Sequence, residues 1–434
     1  MADRGVKLIA KSTSVSTIPV KPGKSFPLSI LDHAMAKHTL HLVFYYPRRS
    51  KFSMSREKIK TSFSDALNNY PTITGRLVSG PETENWVIRC NDAGVRVYDA
   101  VVDVSMDDWF QTADEEEEKN LACWEEMDQD PFIWSPFCVQ ITEFKDGGVA
   151  IGLSCPHMYA DPTCATLLIK TWGDAHRRAC IVHPPFFNPQ ALDIRPTVTS
   201  TSIIAQLESK SKHIIPPTTT KFSTTTFRFD EKTVSRCLDE IKAESPNATA
   251  FDAIVGLFWW RIGNVSSLNV GVDFRKSLYA PLPHGYFGNA IHFSEVSGGD
   301  GADWGKLTEA VRTHVAGLGE DDYLSTVEWL DSKRKSNGTY REAFQMYGPG
   351  LTCVKLDNHL FPYECIFDEN GPPTHVSYRV GGQPDGEGTV LVLPYPEGGD
   401  GRSVIVTLPE EKMGKIRQDE EIKRIAPKFV FHKD

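Results

Sequence analysis

Residues 147–178, GGVAIGLSCPHMYADPTCATLLIKTWGDAHRR, place a strand, a sharp turn and a helix in immediate succession. The apolar run after the two glycines is long enough for a buried strand and too short for a helix. Pro156 has no backbone N–H, so the strand ends at this position. Asp161 followed by Pro162 is typical of an N-cap and a first helical residue, because the carboxylate accepts free amides and proline has none. The stretch therefore predicts a βα unit with His157 at the end of its strand.

The segments on either side alternate in the same way. In the first half, 41–47, 85–92 and 95–102 have the composition of strands, and 55–70 has the pattern of an amphipathic helix. In the second half, helices are predicted over 231–245 and 249–262, and strands over 224–230, 388–396 and 403–409, followed by a charged helix. The sequence therefore predicts a mixed α/β protein.

The length of 434 residues is too great for one ordinary hydrophobic core and favours two domains. Residues from about 181 to 220 are rich in proline, serine and threonine, a composition typical of a linker rather than of a packed element. We therefore predict an N-terminal domain over 1–185, a crossover linker over 186–220 and a C-terminal domain over 221–434.

Composition excludes several classes of partner and location. The net charge is −10 and the 47 basic residues are scattered, which argues against nucleic acid as a partner. No segment approaches the roughly 18 apolar residues of a membrane span, so we expect a cytoplasmic or peripherally attached protein. Nine cysteines without a CxxC pair favour reduced thiols. The longest charge run, Asp114–Glu118, is expected to form a solvated helix face.

His157 and Asp161 are four residues apart, a spacing that allows a catalytic pair, a metal site or a structural hinge. A helix that begins only at Pro162 disfavours a direct pair. A metal ion would need further ligands, and no HExxH or Cys/His cluster supplies them, so no metal is predicted. His157 then fits either a general base at a strand terminus or a core histidine bonded to a neighbour. No GxSxG, GxxxxGK[ST] or GxGxxG motif supports a hydrolase or a nucleotide-binding protein.

The motif at His157 and Asp161 resembles the HxxxD signature of the BAHD acyltransferases, plant enzymes that move an acyl group from coenzyme A to an alcohol or amine. A more specific similarity lies in VDFRKSLYAPLPHGYFGNAIHF, Val272–Phe293, which resembles the D-x-R segment of the family followed by Gly-Tyr-Phe-Gly-Asn. Further similar segments follow in family order: Leu28–Asp32, Tyr70–Leu77, Thr249–Arg261 and Leu360–Pro373. The resemblance covers essentially the whole chain.

The resemblance implies two similar-sized, mixed-sheet α/β domains of the chloramphenicol-acetyltransferase-like type, with an interface channel and His157 reachable from both mouths. Acyl-CoA would enter as co-substrate by one mouth and a small-molecule alcohol or amine by the other, with no permanently bound cofactor. His157 would act as general base, while Asp161 pairs with Arg275 and supports the catalytic loop. The resemblance also implies a monomer. It further implies four candidate residues on the channel and CoA side: Thr249, Tyr286, Gly288 and Asn289.

One motif departs from the family: its usual Asp-Phe-Gly-Trp-Gly is replaced by Ile-Phe-Asp-Glu-Asn at 366–370. Segments at 87–97, 346–357 and 388–413 look most like the Eceriferum/Glossy wax-biosynthesis subgroup. Members of that subgroup promote very-long-chain fatty acid elongation beside a membrane-bound condensing enzyme, without needing HxxxD chemistry. Two hypotheses follow: an acyl-CoA-dependent O- or N-acyltransferase, or a non-catalytic partner of a fatty acid elongase condensing enzyme at the endoplasmic reticulum in cuticular wax synthesis. An open channel at His157 would favour the enzyme, and a sealed one the partner.

Overall fold

The fold is described from a computed structural model. It describes residues 5–431 apart from the following positions: 22, 50–53, 81–82, 84, 128–129, 189–191, 193–194, 213–219, 264, 300, 336–337, 341–345, 358–359, 369–370, 383–385 and 426. Across these described ranges, no helix has both the length and the apolar character needed to cross a membrane.

The strands are numbered in chain order. They are β1 (Lys7–Ser14), β2 (Ser25–Pro27), β3 (Thr39–Tyr46), β4 (Arg76–Ser79), β5 (Trp86–Arg89), β6 (Val95–Val102), β7 (Cys138–Phe144), β8 (Val149–Pro156), β9 (Phe222–Phe229), β10 (Ser267–Asp273), β11 (Ile291–Ser297), β12 (Thr352–Lys355), β13 (His375–Gly381), β14 (Thr389–Pro394), β15 (Arg402–Pro409) and β16 (Lys428–Phe429).

The helices are numbered in the same way. They are α1 (Ile30–Ala34), α2 (Arg56–Leu67), α3 (Met106–Thr112), α4 (Glu115–Lys119), α5 (Pro162–His176), α6 (Thr201–Lys212), α7 (Glu231–Ile241), α8 (Ala250–Ile262), α9 (Trp304–Gly317), α10 (Glu320–Ser332), α11 (Glu410–Gln418) and α12 (Glu420–Ile425). The predicted βα unit is confirmed as β8 followed by α5, with Asp161 as N-cap and Pro162 in the first turn.

Two large mixed sheets carry the fold. The first has the strand order β1-β6-β7-β8-β3-β13, in which only β6 and β7 pair in parallel. The second has the order β11-β10-β12-β14-β15-β9-β16, with β12 parallel to both of its neighbours. A third sheet, β2-β5-β4, is small. The mixed α/β prediction is therefore confirmed.

Strand β13 follows most of the second sheet in the chain but completes the first. It lies antiparallel to β3, with Arg379 opposite His41 and Val376 opposite Phe44. The largest hydrophobic core likewise contains buried residues of both halves, from Leu28 to Ile405. The boundaries at 185 and 220 stay a prediction, since the two halves share a sheet and a core.

Two sequence-based expectations were wrong. Within the stretch interpreted as an unpacked linker, 201–212 form helix α6, because Ile203 and Leu207, four residues apart, bury one face of it in the large core. In the acidic run, Glu118 is buried rather than solvated, since its carboxylate accepts hydrogen bonds from the hydroxyls of Tyr45 (2.8 Å) and Ser377 (3.0 Å).

Candidate active site

His157 lies in the turn between β8 and α5, and its backbone is held from two sides. Its N–H donates to the carbonyl oxygen of His38 at 2.8 Å. Its own carbonyl oxygen accepts from the side-chain amide of Asn289 at 2.9 Å. Because Pro156 and the helix cap fix the ends of the turn, the imidazole is attached to a rigid strand terminus.

Asn289 is held in turn by Asp32, which lies in the first turn of α1. One carboxylate oxygen of Asp32 accepts from both the backbone N–H and the side-chain amide of Asn289, each at 2.8 Å. The other oxygen belongs to the capping box with Ser29. Burial raises the pKa of Asp32, and the hydrogen bonds from Asn289 and Ser29 oppose that rise. The hydrogen-bonded series Asp32–Asn289–His157 therefore links the N-terminal part of the chain to the turn that carries the imidazole.

Asp161 points away from the imidazole and towards Arg275. One guanidinium nitrogen of Arg275 lies 2.7 Å from Asp161, and the other lies 2.6 Å from Asp273. All three side chains are fully buried. Burial alone would lower the pKa of Arg275, but the two carboxylates reverse this and raise it well above its usual value. This ion triad joins the loop of His157 to the end of β10.

Two candidates from the glycine-rich segment 285–289, Gly288 and Tyr286, contact the triad rather than an open channel. The carbonyl oxygen of Gly288 accepts from Arg275 at 2.8 Å, and its N–H lies 3.3 Å from the sulfur of Cys164. The Tyr286 ring is buried, with the Arg275 guanidinium 5.7 Å from its centroid. Thr249 is not brought into this group, because it is the N-cap of α8 and forms a capping box with Asp252.

The imidazole of His157 is neutral, because burial lowers its pKa and outweighs the opposing effect of Asp161. Its Nε2 atom lies 3.0 Å from the hydroxyl of Tyr347. Which of the two groups donates depends on the tautomer of the ring, and Nδ1 makes no hydrogen bond of standard geometry to a described residue. A hydrogen bond accepted by Nε2 requires the ring proton on Nδ1. In this tautomer Nε2 accepts the Tyr347 hydroxyl.

The expectation that His157 is reachable from both mouths of a channel is wrong for this conformation. The residue is 0% exposed. Tyr347 is also 0% exposed, and its ring contacts those of His157 (5.6 Å between centroids), His38 (5.0 Å) and Phe293 (4.9 Å). The ring of Tyr347, packed against those of His38 and Phe293, therefore forms an aromatic seal over the imidazole.

Cavities lie on two sides of this aromatic seal. The first, here called the α6 cavity, has a volume of about 320 Å³ and is lined by Phe293, by Lys210 of α6 and by Gly348, the residue after Tyr347. The second, the β13 cavity, measures about 510 Å³ and is lined by His38 and by both sequence neighbours of His157, Pro156 and Met158. Neither cavity includes His157 or Tyr347 in its described lining.

Comparisons with known proteins agree over nearly the whole chain. A family model described as "Transferase family" matches residues 6–423. The chain belongs to the BAHD transferase family. Among relatives of this BAHD protein, a hydroxycinnamoyltransferase of Narcissus pseudonarcissus is 27% identical, covering 94% of this chain and 98% of its own. Protein ECERIFERUM 2 of Arabidopsis thaliana is 24% identical, covering 95% and 97%.

Solved structures of other proteins share the fold. Vinorine synthase superposes with a TM-score of 0.74 at 18% identity, covering 98% of this BAHD chain and 100% of its own. F. graminearum TRI101, solved with coenzyme A and T-2 mycotoxin, gives a TM-score of 0.72 at 13% identity, covering 94% and 100%. These neighbours confirm the predicted mixed-sheet α/β fold.

The degenerate motif of this BAHD protein lies at the far end of α5 from His157. Phe367 is buried against Tyr46 and Trp172, with centroid separations of 5.3 and 5.1 Å. The carbonyl of Ile366 lies so close to α5 that a Cβ at Gly173 would be 2.5 Å from its oxygen. Residues 369 and 370 lie outside the described residues. Ile366 and Phe367 therefore pack their segment against the C-terminal end of α5, away from His157.

Sequence reasoning missed three residues of the site. Asp32 lies in a segment that resembles the family, but it was assigned no role in the site. Its carboxylate is buried, and a buried carboxylate needs a hydrogen-bond partner. His38 and Tyr347 gave no signal, because each contacts His157 only through the tertiary fold. A histidine and a tyrosine in apolar surroundings look like core residues in sequence, and both are buried here.

Three histidines near or beyond the site make the stability of this protein sensitive to acid. Burial lowers the pKa values of His38, His41 and His292 to about 3, whereas burial raises that of Glu118 to about 7. The histidine contribution is complete above the unfolded pKa near 6.5 and is lost as pH falls towards 3. The Glu118 contribution has the opposite sign: it is complete below the unfolded pKa and is lost as pH rises through about 7.

Between pH 6 and 5, the unfolded chain therefore binds three more protons at these histidines and one fewer at Glu118, a net of two. Through these four groups, we expect the free energy of unfolding to fall by about 2.7 kcal/mol per pH unit in this range, and other buried histidines such as His375 add to the fall. Urea titrations at pH 7, 6 and 5 measure it. A His292→Gln variant should show a slope shallower by about 1.4 kcal/mol per unit. Equal slopes in the two proteins would contradict the assignment.

Proposed function

We propose that this protein transfers an acyl group from acyl-CoA to a hydroxyl or amine of a small metabolite, with His157 as general base. The observation that supports this most strongly is the 3.0 Å contact between Nε2 of His157 and the Tyr347 hydroxyl. A neutral imidazole that accepts a hydroxyl here presents the lone pair that an acceptor substrate would need. Tyr347 thus occupies the position in which the acceptor hydroxyl would react.

The proposed reaction requires Tyr347 to turn away and the acceptor to replace it. Nε2 of His157 takes the acceptor proton while the oxygen or nitrogen attacks the thioester carbonyl. The new C–O or C–N bond forms, the C–S bond breaks, and the proton passes to the departing thiolate. Asp161 and Arg275 keep the loop in place without touching substrate, and Asn289 fixes the His157 carbonyl. Thr249 remains a candidate for a contact on the CoA side, whereas the buried Tyr286 packs against the triad.

A second candidate function is supported by the burial of the base. With His157 0% exposed, this conformation has no access for a thioester. ECERIFERUM 2 and ECERIFERUM 26 are each 24% identical to this chain, which is close to the 27% of the Narcissus hydroxycinnamoyltransferase. In this alternative the chain is a non-catalytic partner of a fatty acid elongase condensing enzyme, acting by protein contact at the endoplasmic reticulum.

A thiol-release assay separates the two candidates. Purified wild-type protein and His157→Asn are incubated with a panel of acyl-CoA thioesters and pooled alcohols and amines, and free coenzyme A is measured. The proposed function predicts acceptor-dependent release that His157→Asn abolishes. If His157→Asn fully supports biological activity in a reconstituted elongation assay, the accessory function holds and the enzyme is rejected.

Removing the Tyr347 hydroxyl should make the acceptor bind better. Tyr347→Phe keeps the ring but deletes the hydrogen bond that stabilises the sealed state, which is worth about 0.5–1.5 kcal/mol. Because a substrate binds only the open fraction, the KM for the acceptor is expected to fall about 2- to 12-fold. Steady-state kinetics with the acceptor varied at saturating acyl-CoA measure this.

The matched control is Tyr70→Phe, which deletes another buried tyrosine hydroxyl, 3.0 Å from that of Thr171, away from the base. It should lower stability to a similar extent and leave the acceptor KM unchanged. An unchanged KM in Tyr347→Phe would show that Tyr347 does not compete with the acceptor.

A further inference from the structure

Arg379 of β13 lies in the wall of the β13 cavity. Among the residues that the structure describes, its guanidinium makes no hydrogen bond and no ion pair. It is half-buried, and burial lowers its pKa against the opposing charges of Glu118 and Glu116. A guanidinium that is largely removed from water without a hydrogen-bond partner among the described residues is costly to desolvate, so this arrangement indicates a missing anionic ligand.

The nearby carboxylates do not fill that role. Glu118 already accepts from Tyr45 and Ser377, and its pKa is raised to about 7 by burial, so a large part of it is protonated near neutral pH. Glu116 pairs with Lys119. The cavity lining that the structure describes includes Lys37, Lys119 and Arg379 against a single acidic residue, Glu126. The wall therefore keeps a surplus of positive charge.

Apolar side chains also line the cavity. They are Trp124, Trp134, Met158 and Phe222, and the Trp124 and Trp134 rings meet edge to face at 5.8 Å. A ligand that fits this lining and the guanidinium has a flat or apolar body and one anionic end. A guanidinium binds a planar carboxylate through two parallel hydrogen bonds, and one unpaired guanidinium balances one negative charge.

We propose that Arg379 binds the carboxylate of the acceptor, so that the substrate is a hydroxy or amino acid with an apolar body. The proposal rests on the proposed acyl transfer for its acceptor role. Arg379 is a specificity-determining residue in this scheme, since it fixes the end of the substrate that does not react.

The sheet register sets the distance that such a substrate must span. Arg379 lies opposite His41 on β3, and His41 lies opposite Ser154 on β8, three residues before His157. Two strand spacings and three residues of rise separate the Cα atoms of Arg379 and His157 by about 14 Å. The carboxylate and the reacting hydroxyl of the substrate are therefore several bonds apart rather than adjacent.

Binding is tested apart from catalysis in full-length His157→Asn by calorimetry. The probes are 3-(4-hydroxyphenyl)propanoate, its methyl ester and phenyl phosphate. We expect the acid to bind about 10- to 100-fold more tightly than the ester, because the ester loses a charge-assisted hydrogen-bond pair. Adding Arg379→Gln should remove this preference. Arg195→Gln, an equivalent change at an exposed arginine that pairs with Glu328, should retain it.

Several results would overturn the proposal. Equal affinity for acid and ester, or a preference that survives Arg379→Gln, would show that Arg379 does not bind a carboxylate. Tighter binding of phenyl phosphate would replace the carboxylate by a phosphate. If Arg379→Gln does not fold, Arg379→Lys keeps the charge but loses the planar fork, and its acid preference should fall several-fold. If the wild-type protein binds the acid but does not acylate it, the proposed acyl transfer is rejected and the anion site is retained.

Discussion

Replacing His157 with alanine is expected to lower kcat for acyl transfer by about 10²- to 10⁴-fold, the usual contribution of a positioned general base. The loss should appear in kcat because the buried imidazole acts on the acceptor proton in the transition state. The acceptor KM should stay constant or fall, since the Tyr347 hydroxyl also loses its hydrogen-bond partner. Steady-state assays of thiol release over a range of acceptor concentrations measure both parameters.

A histidine outside the site provides the control. His314 of α9 bonds to Ser294 at 2.8 Å, so His314→Ala removes a partly buried histidine of the same protein and should leave kcat within twofold. If His157→Ala turns over the acceptor as fast as the wild type, the imidazole is not the base. The elongase-partner hypothesis would then account for the chain better.

Arg275→Met should be the most destabilising single substitution at the site. It leaves Asp161 and Asp273 buried without their shared cation, while the apolar side chain roughly keeps the volume. Removing one member of a buried ionic group typically costs about 3–5 kcal/mol. Urea denaturation at pH 7 measures the change in the free energy of unfolding.

Two further variants separate charge from packing in this result. Arg424→Met disrupts exposed ion pairs with Glu240 and Glu421 and should cost no more than about 1 kcal/mol. Arg275→Met combined with Asp161→Asn removes one of the uncompensated charges and should recover part of the stability. If Arg275→Met costs as little as Arg424→Met, the triad does not hold the loop of His157.

The local part of this site could be read from sequence because it depends on local chemistry. Pro156, Asp161 and Pro162 each have one strong backbone preference, and all three occupy the predicted positions. Helix α6 was missed because its short apolar pattern lies among prolines and serines, and its burial depends on the large core. The prediction gave more weight to the proline- and serine-rich composition around 201–212 than to the weak helical periodicity of its apolar residues.

The closure of the site could not be read from sequence at all. Tyr347 and His157 are 190 residues apart, and their contact depends on how β12 and β8 are brought together. The lack of a partner for Arg379 among the described residues likewise depends on where the tertiary fold places the nearby carboxylates. The burial of Glu118 was missed because its partners, Tyr45 and Ser377, belong to distant strands.

The position of β13 also affects how the polypeptide acquires its shape during synthesis. Its partner β3 ends at residue 46, whereas β13 begins at residue 375. When the N-terminal half leaves the ribosome, β3 therefore has one unsatisfied edge that stays open until nearly the entire chain has been translated. Such an edge can pair with other nascent chains. A chaperone that shields this edge during translation would benefit the yield of native protein more than one that acts after release.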